Sequence, residues 1–130
     1  MTDDELVQAF ESATLAGDAF PHEAHVRVAW YYLQRYPILV ALTRFRSALQ
    51  RFAAAQGKPR RYHETITVAY MLLVADRLAE SGDLSWTAFA ERHADLLVRK
   101  PSSLSRFYSD EVLASARARE VFVMPDRHEG

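Results

Sequence analysis

Four histidines are spaced for chemistry: His22, His25, His63 and His93, with a fifth, His128, near the C-terminus. His22 and His25 lie three residues apart, so on a helix both rings project from one face, roughly 60° apart around the axis. Two rings so placed can share one ion. His63 opens a later helical segment, and His93 stands in the second half of the next one. Short connections make successive helices antiparallel, so the second and fourth helices start at the same end of a bundle and the fifth returns to it. The four histidines are therefore expected at one end. Neutral imidazole is a common ligand for zinc, iron and nickel, and a helix N-terminus favours the neutral ring because the positive end of the macrodipole opposes protonation.

The chain has no cysteine, which rules out disulfides, zinc thiolates, iron–sulfur clusters and thiol nucleophiles. A metal would have to use histidine and carboxylate. The expectation is a divalent transition metal (zinc, iron or nickel) held by His22, His25 and His63, with an open position for a reactive metal-bound water. Glu64, about 100° round the helix from His63, and His93 are the candidates for a fourth ligand or an acid/base. His22-Glu23-Ala24-His25 is one residue too short for the H-E-x-x-H helix of zinc proteases, and no E-x-x-H pairs suggest a di-iron bundle. Beside His63, Arg60 and Arg61 with Lys58, Arg44, Arg46 and Arg51 make a basic zone. With Tyr62 as a polar handle, Arg60 and Arg61 are the candidates for binding a phosphate or carboxylate, because guanidinium offers such groups two parallel donors. The competing reading is an ordinary solvated helix face and loop.

The elements that must position these groups are helical. Thr2-Asp3-Asp4-Glu5 fits a capping box, and Leu6, Val7, Phe10 and Ala13 follow it at helical spacing until Gly17-Asp18. Pro21 opens a second helix with Val26, Ala29, Trp30 and Leu33 inward, ending near Tyr36-Pro37. Ile38, Ala41, Leu42, Phe45, Ala48, Leu49 and Phe52 form the most regular apolar stripe in the chain, closed by Gly57-Lys58-Pro59. A fourth helix from about Tyr62 to Glu80 has the widest apolar face and is expected to be central, and a fifth runs from an N-cap at Ser85 to Lys100-Pro101. Beyond it come a turn near 104–108, a helix from about Asp110 to Arg119 and an extended apolar segment at 121–124. Because Tyr31 and Tyr32 cannot both face inward, one side of the second helix is a candidate homodimer surface.

A chain of 130 residues, 49% hydrophobic and 25% charged, has the size and composition of one globular domain. The fold class is thus all-α, a single-domain bundle of five to six helices over 1–125 with a mobile tail at 126–130. A net charge of −1 gives no overall attraction for polyanions, so neither nucleic acid nor a membrane surface is expected as a partner. Val68–Ala75 is far short of the ~20 residues that span a bilayer, and the acidic start does not look like an export signal, so the location expected is cytoplasmic.

Phe20-x-His22-x-x-His25, Tyr62-His63-Glu64-Thr65 and Phe122-x-x-Pro125-Asp126 together resemble a group of small bacterial all-helical proteins over most of the chain. The resemblance implies a helical fold and brings no activity with it. The three-histidine arrangement is also similar in concept to DinB-like metal-binding bundles, but the pair sits in the second helix instead of near the C-terminus, so no residue role carries over. The functional expectation is a metal-binding helical bundle, a metal-dependent enzyme acting on a small anionic molecule. The alternative is a non-catalytic helical interaction module.

Overall fold

Thr2 and Glu5 form the capping box: the Thr2 hydroxyl accepts from the Glu5 amide at 3.1 Å, and the Glu5 carboxylate accepts from the Thr2 amide at 2.8 Å. That exchange satisfies two of the free donors at the helix start. In the computed structural model, which describes residues 1–17 and 20–127, α1 is Asp3–Glu11, α2 His22–Arg35, α3 Ile38–Ala55, α4 Glu64–Ser81 and α5 Trp86–Arg92. Two short helices follow, α6 at Asp110–Leu113 and α7 at Ala116–Glu120, and 3-10 turns occupy Pro59–Arg61, Ala94–Leu97 and Ser103–Arg106. The described residues contain no strand, so the fold is all-α. Among them no helix is long and apolar enough to cross a membrane.

α2 shares the centre of the bundle with α4, the helix whose wide apolar face suggested that place. Val26, Val28, Ala29, Trp30 and Tyr32 are all buried, so α2 is covered on several sides, by α1, α3, α4 and the 94–97 turn. α2, α3 and α4 each bury five residues, and those of α2 include the large Trp30 and Tyr32, side chains of a size whose burial stabilises by roughly 1.5–3 kcal/mol. Phe10, Phe20, Phe45 and Phe52 interlock between α1, the start of α2 and α3, with Phe10 and Phe20 stacked at 4.6 Å. The tyrosines expected on a dimer surface are used within the chain. Tyr31 donates to Asp4 and Tyr32 to Glu11, both on α1, and Arg35 lies over the Tyr31 ring at 3.7 Å.

Gly57 ends α3. Its φ of 71° is open to glycine without the Cβ clash other residues meet, and it allows the Gly57 amide to bond Ala54 O and the Lys58 amide to bond Ala53 O, each at 2.9 Å. That paired closure satisfies two terminal carbonyls and turns the chain directly into the basic turn Pro59–Arg61.

The 102–127 region is held to α4 by side chains. Thr65, fully buried, donates to Val121 O at 2.8 Å and accepts from the Val123 amide at 3.0 Å, which ties 121–124 to a helix hydroxyl; Phe122 and Val123 are half-buried, while Val121 and Met124, expected to pack on the bundle, are exposed. The single helix expected over 110–119 is broken at Ser115, whose hydroxyl accepts from the Ala118 amide and donates to Val112 O, capping α7 and closing α6. Of the tail expected at 126–130, Asp126 and Arg127 are bonded to the body of the chain. Asp126 accepts from the Ser109 amide at 2.8 Å and the Arg127 amide bonds Phe107 O at 2.9 Å, while His128 and the last two positions lie outside the described residues.

Candidate functional site

A cleft of about 1590 Å³ opens between α3 and α4, with α2 as its floor. Val26 and Ala29 come from α2, Phe45, Leu49 and Phe52 from α3, and Ile66, Met71 and Val74 from α4. The α3–α4 connection supplies Lys58, Arg60, Arg61 and Tyr62, the loop after the 94–97 turn supplies Arg99, Lys100 and Ser102, and α7 supplies Arg119. Six cations (Lys58, Arg60, Arg61, Arg99, Lys100 and Arg119) therefore line this one opening, all of them exposed. Among the described residues, no carboxylate lines it and none of the six makes an ion pair. In a chain with 16 basic and 17 acidic residues, that segregation is a strong local field inside a nearly neutral molecule.

The histidine triplet is gathered on the cleft but not as a ligand set. His22, His25 and His63 all line it, yet among the described residues no group of three or more histidines and carboxylates is placed to hold a metal ion. The physical reason is axial stagger. As expected, α2 and α4 run parallel, but the His22 ring meets Tyr70 edge to face at 4.9 Å, and Tyr70 lies two turns beyond His63, roughly 10 Å along α4.

The ring nitrogens are also committed. His63 is the N-cap of α4, one residue before the helix it was expected to sit inside: its Nδ1 accepts from the Ile66 amide at 3.1 Å. That bond fixes the proton on Nε2, which donates to Leu113 O at 2.7 Å. Both lone-pair positions a metal would need are taken, and burial lowers the pKa of the ring, keeping it neutral. His22 Nε2 donates to Leu96 O at 2.9 Å and His25 Nδ1 to Pro21 O at 3.1 Å, leaving one nitrogen on each ring toward a ligand.

Glu64 and His93 fall outside the cleft lining. Both Glu64 oxygens accept from Arg46, at 2.9 and 2.8 Å, and Tyr62 donates to the same carboxylate. Burial alone would raise the Glu64 pKa, but these bonds outweigh it and hold the group ionised, while burial and Glu64 push Tyr62 up to about 12. Glu64 thus fixes the Tyr62 side of the cleft. His93 caps the end of α5 with its ring against Phe89 at 4.7 Å, and its Nδ1 accepts from Arg77, whose guanidinium also grips Asp95. The fifth helix ends at Arg92 instead of continuing to Lys100, which takes His93 to the Arg77 flank of α4.

Of the basic zone read from the sequence, Lys58, Arg60 and Arg61 reach the cleft, whereas Arg46 is bonded to Glu64 and Arg44 lies over Tyr36. Arg99, Lys100 and Arg119 were not foreseen. The adjacent pair before Pro101 carried a weak loop signal, and Arg119 carried none, since only the fold brings α7 beside the 59–61 turn, where Arg119 donates to Arg60 O at 2.7 Å.

His25 has a measurable consequence. Burial, with the nearby His22 and Arg99 charges adding to it against the Pro21 bond, pushes its pKa down to about 4. A histidine depressed in the folded state binds more protons when unfolded, so its contribution to stability is present above the unfolded pKa of ~6.5 and lost as pH falls toward 4. Urea denaturation is expected to show stability declining over that window by up to about 3 kcal/mol from this group, an upper figure because the ring is only half-buried, with His63 and His93 adding to the slope. His25→Gln should flatten the decline. An unchanged slope in that variant would mean that the ring is not held neutral by its surroundings.

A scan against protein-family models, a search of curated proteins and a search of solved structures each give no match for this chain.

Proposed function

We propose that this protein binds a small organic anion in the cleft between α3 and α4. The observation that carries the reading is the set of six exposed cations over an apolar floor, none of them in an ion pair among the described residues and with no described carboxylate among the lining residues. Such a field raises the local concentration of anions, and arginine adds bidentate hydrogen bonds to carboxylate or phosphate. Below the lip, burial keeps His25 neutral with its Nε2 as an acceptor, so the anionic group is held by the cations and not by that imidazole.

Calorimetry with 2-naphthoate and its neutral amide tests this directly. The naphthoate is expected to bind at least about tenfold more tightly, equivalent to roughly 1.4 kcal/mol, and to lose that margin as salt screens the lip. Equal affinities, or none, would contradict the reading. The transition-metal reading survives only in a reduced form, with His22 and His25 holding zinc, iron or nickel and the bound anion completing the ligand set. Naphthoate affinity unchanged by a chelator supports direct binding by the cations, and affinity abolished by it supports the metal.

A further inference from the structure

Anion binding alone uses only the lip of the cleft, and the rest of its lining has a different character. The base is apolar and buried, formed by Val26 and Ala29, Phe45 and Phe52, and Met71 and Val74. Apart from one ring nitrogen on each of His22 and His25, the polar side chains between base and lip are already bonded inside the protein. Thr67 donates to His63 O at 2.7 Å, Gln56 to Leu15 O at 3.1 Å, and the Tyr70 and Ser102 hydroxyls bond each other at 2.7 Å. Tyr62 is spent on Glu64, and His63 on Ile66 and Leu113. A ligand carrying several hydroxyls or amides along its length would leave most of them unpaired against these walls, which weakens binding. The volume of about 1590 Å³ also exceeds the roughly 300–1,000 Å³ of a site for a drug-sized ligand.

We infer that the occupant is a free long-chain carboxylic acid, its carboxylate among Arg60, Arg61 and their basic neighbours at the lip and its alkyl chain along the apolar base. The inference rests on the anion reading above and deepens it. A phosphorylated sugar would need polar walls, and a neutral lipid would gain nothing from the basic lip; an amphipathic monoanion meets both ends of the gradient.

The test is calorimetry of the full chain with hexanoate, octanoate and decanoate below their micellar concentrations, beside methyl decanoate, with 2-naphthoate as competitor. The expected result is up to about fourfold tighter binding per added methylene, the factor equivalent to about 0.8 kcal/mol per buried CH₂. Decanoate should displace naphthoate, and the methyl ester should bind at least about tenfold more weakly than the acid. A Leu39→Ser, Val40→Ser variant controls for the exposed apolar start of α3, where Leu39 is 74% and Val40 42% exposed, and should leave the series unchanged. A flat series with naphthoate binding retained overturns the alkyl-chain assignment alone. Failure of every carboxylate, naphthoate included, overturns the anion reading itself. An ester as tight as the acid, or a series lost in the Leu39/Val40 variant, overturns the placement in the cleft.

Discussion

Replacing Arg60 and Arg61 together by glutamate is expected to weaken binding of 2-naphthoate by about 30-fold or more while leaving its neutral amide unaffected. Both arginines are exposed and neither is in an ion pair with a described carboxylate, so the folded state gives up little when they change, and stability should move by no more than about 0.5 kcal/mol. The Arg60 bond to α7 runs through its carbonyl, accepting from Arg119, and persists whatever side chain stands there. Each reversal removes one attraction and adds one repulsion at the lip. With water-exposed charges several ångströms from the ligand, two reversals amount to roughly 2 kcal/mol at moderate salt, which is the 30-fold figure. Glutamine at the same positions should give a smaller loss in the same direction. Affinity unchanged by reversal, measured calorimetrically at two salt concentrations, would remove the lip from the binding site.

His63→Ala separates two roles for the same side chain. As N-cap and cross-link, His63 satisfies the Ile66 amide and ties Leu113 O to the start of α4. Its loss should cost about 1 kcal/mol for the cap and a further 1–3 kcal/mol for an unpaired carbonyl, a total of roughly 2–4 kcal/mol by urea denaturation. His63→Asn should recover the capping part, because a short amide oxygen reaches the same amide, but not the Leu113 bond. Naphthoate affinity of the folded His63→Ala protein should change by less than about threefold, since neither nitrogen is available to a ligand. A stable variant that had lost ligand or metal binding would instead make His63 a ligand-contacting residue.

The fold was legible wherever a local rule decides the outcome. The Thr2–Glu5 box and the serine cap at Ser85 lie where side-chain chemistry places them, and the apolar stripe of α3 buries Ala41, Phe45, Ala48 and Phe52 as its periodicity requires. Its closure at Gly57 follows from the same logic. What could not be read is set by packing between elements. The parallel run of α2 and α4 follows from short connections, but the two-turn offset that puts His22 beside Tyr70 depends on how side chains on two helices interlock. Imidazole is not among the usual capping side chains, so the sequence predicts an earlier start for α4 and a His63 free to bind a metal. The early end of α5 brings buried Leu96 under α2, where its carbonyl accepts from His22, a contact 74 residues distant in sequence. Likewise the basic half of the site was visible as the Lys58-Arg60-Arg61 cluster, while Arg119 joins it only through the fold.

The binding of an organic anion over an apolar floor is tested most directly by following backbone and histidine NMR signals of the isotopically labelled protein as 2-naphthoate is added. The expected result is saturable shifts confined to the cleft, at Arg60, Arg61, Tyr62, Arg99 and Lys100 and at the rings of His22 and His25, with the Arg77–His93–Asp95 cluster unmoved. Shifts scattered over the surface, centred on the exposed start of α3, or absent at millimolar ligand would contradict it.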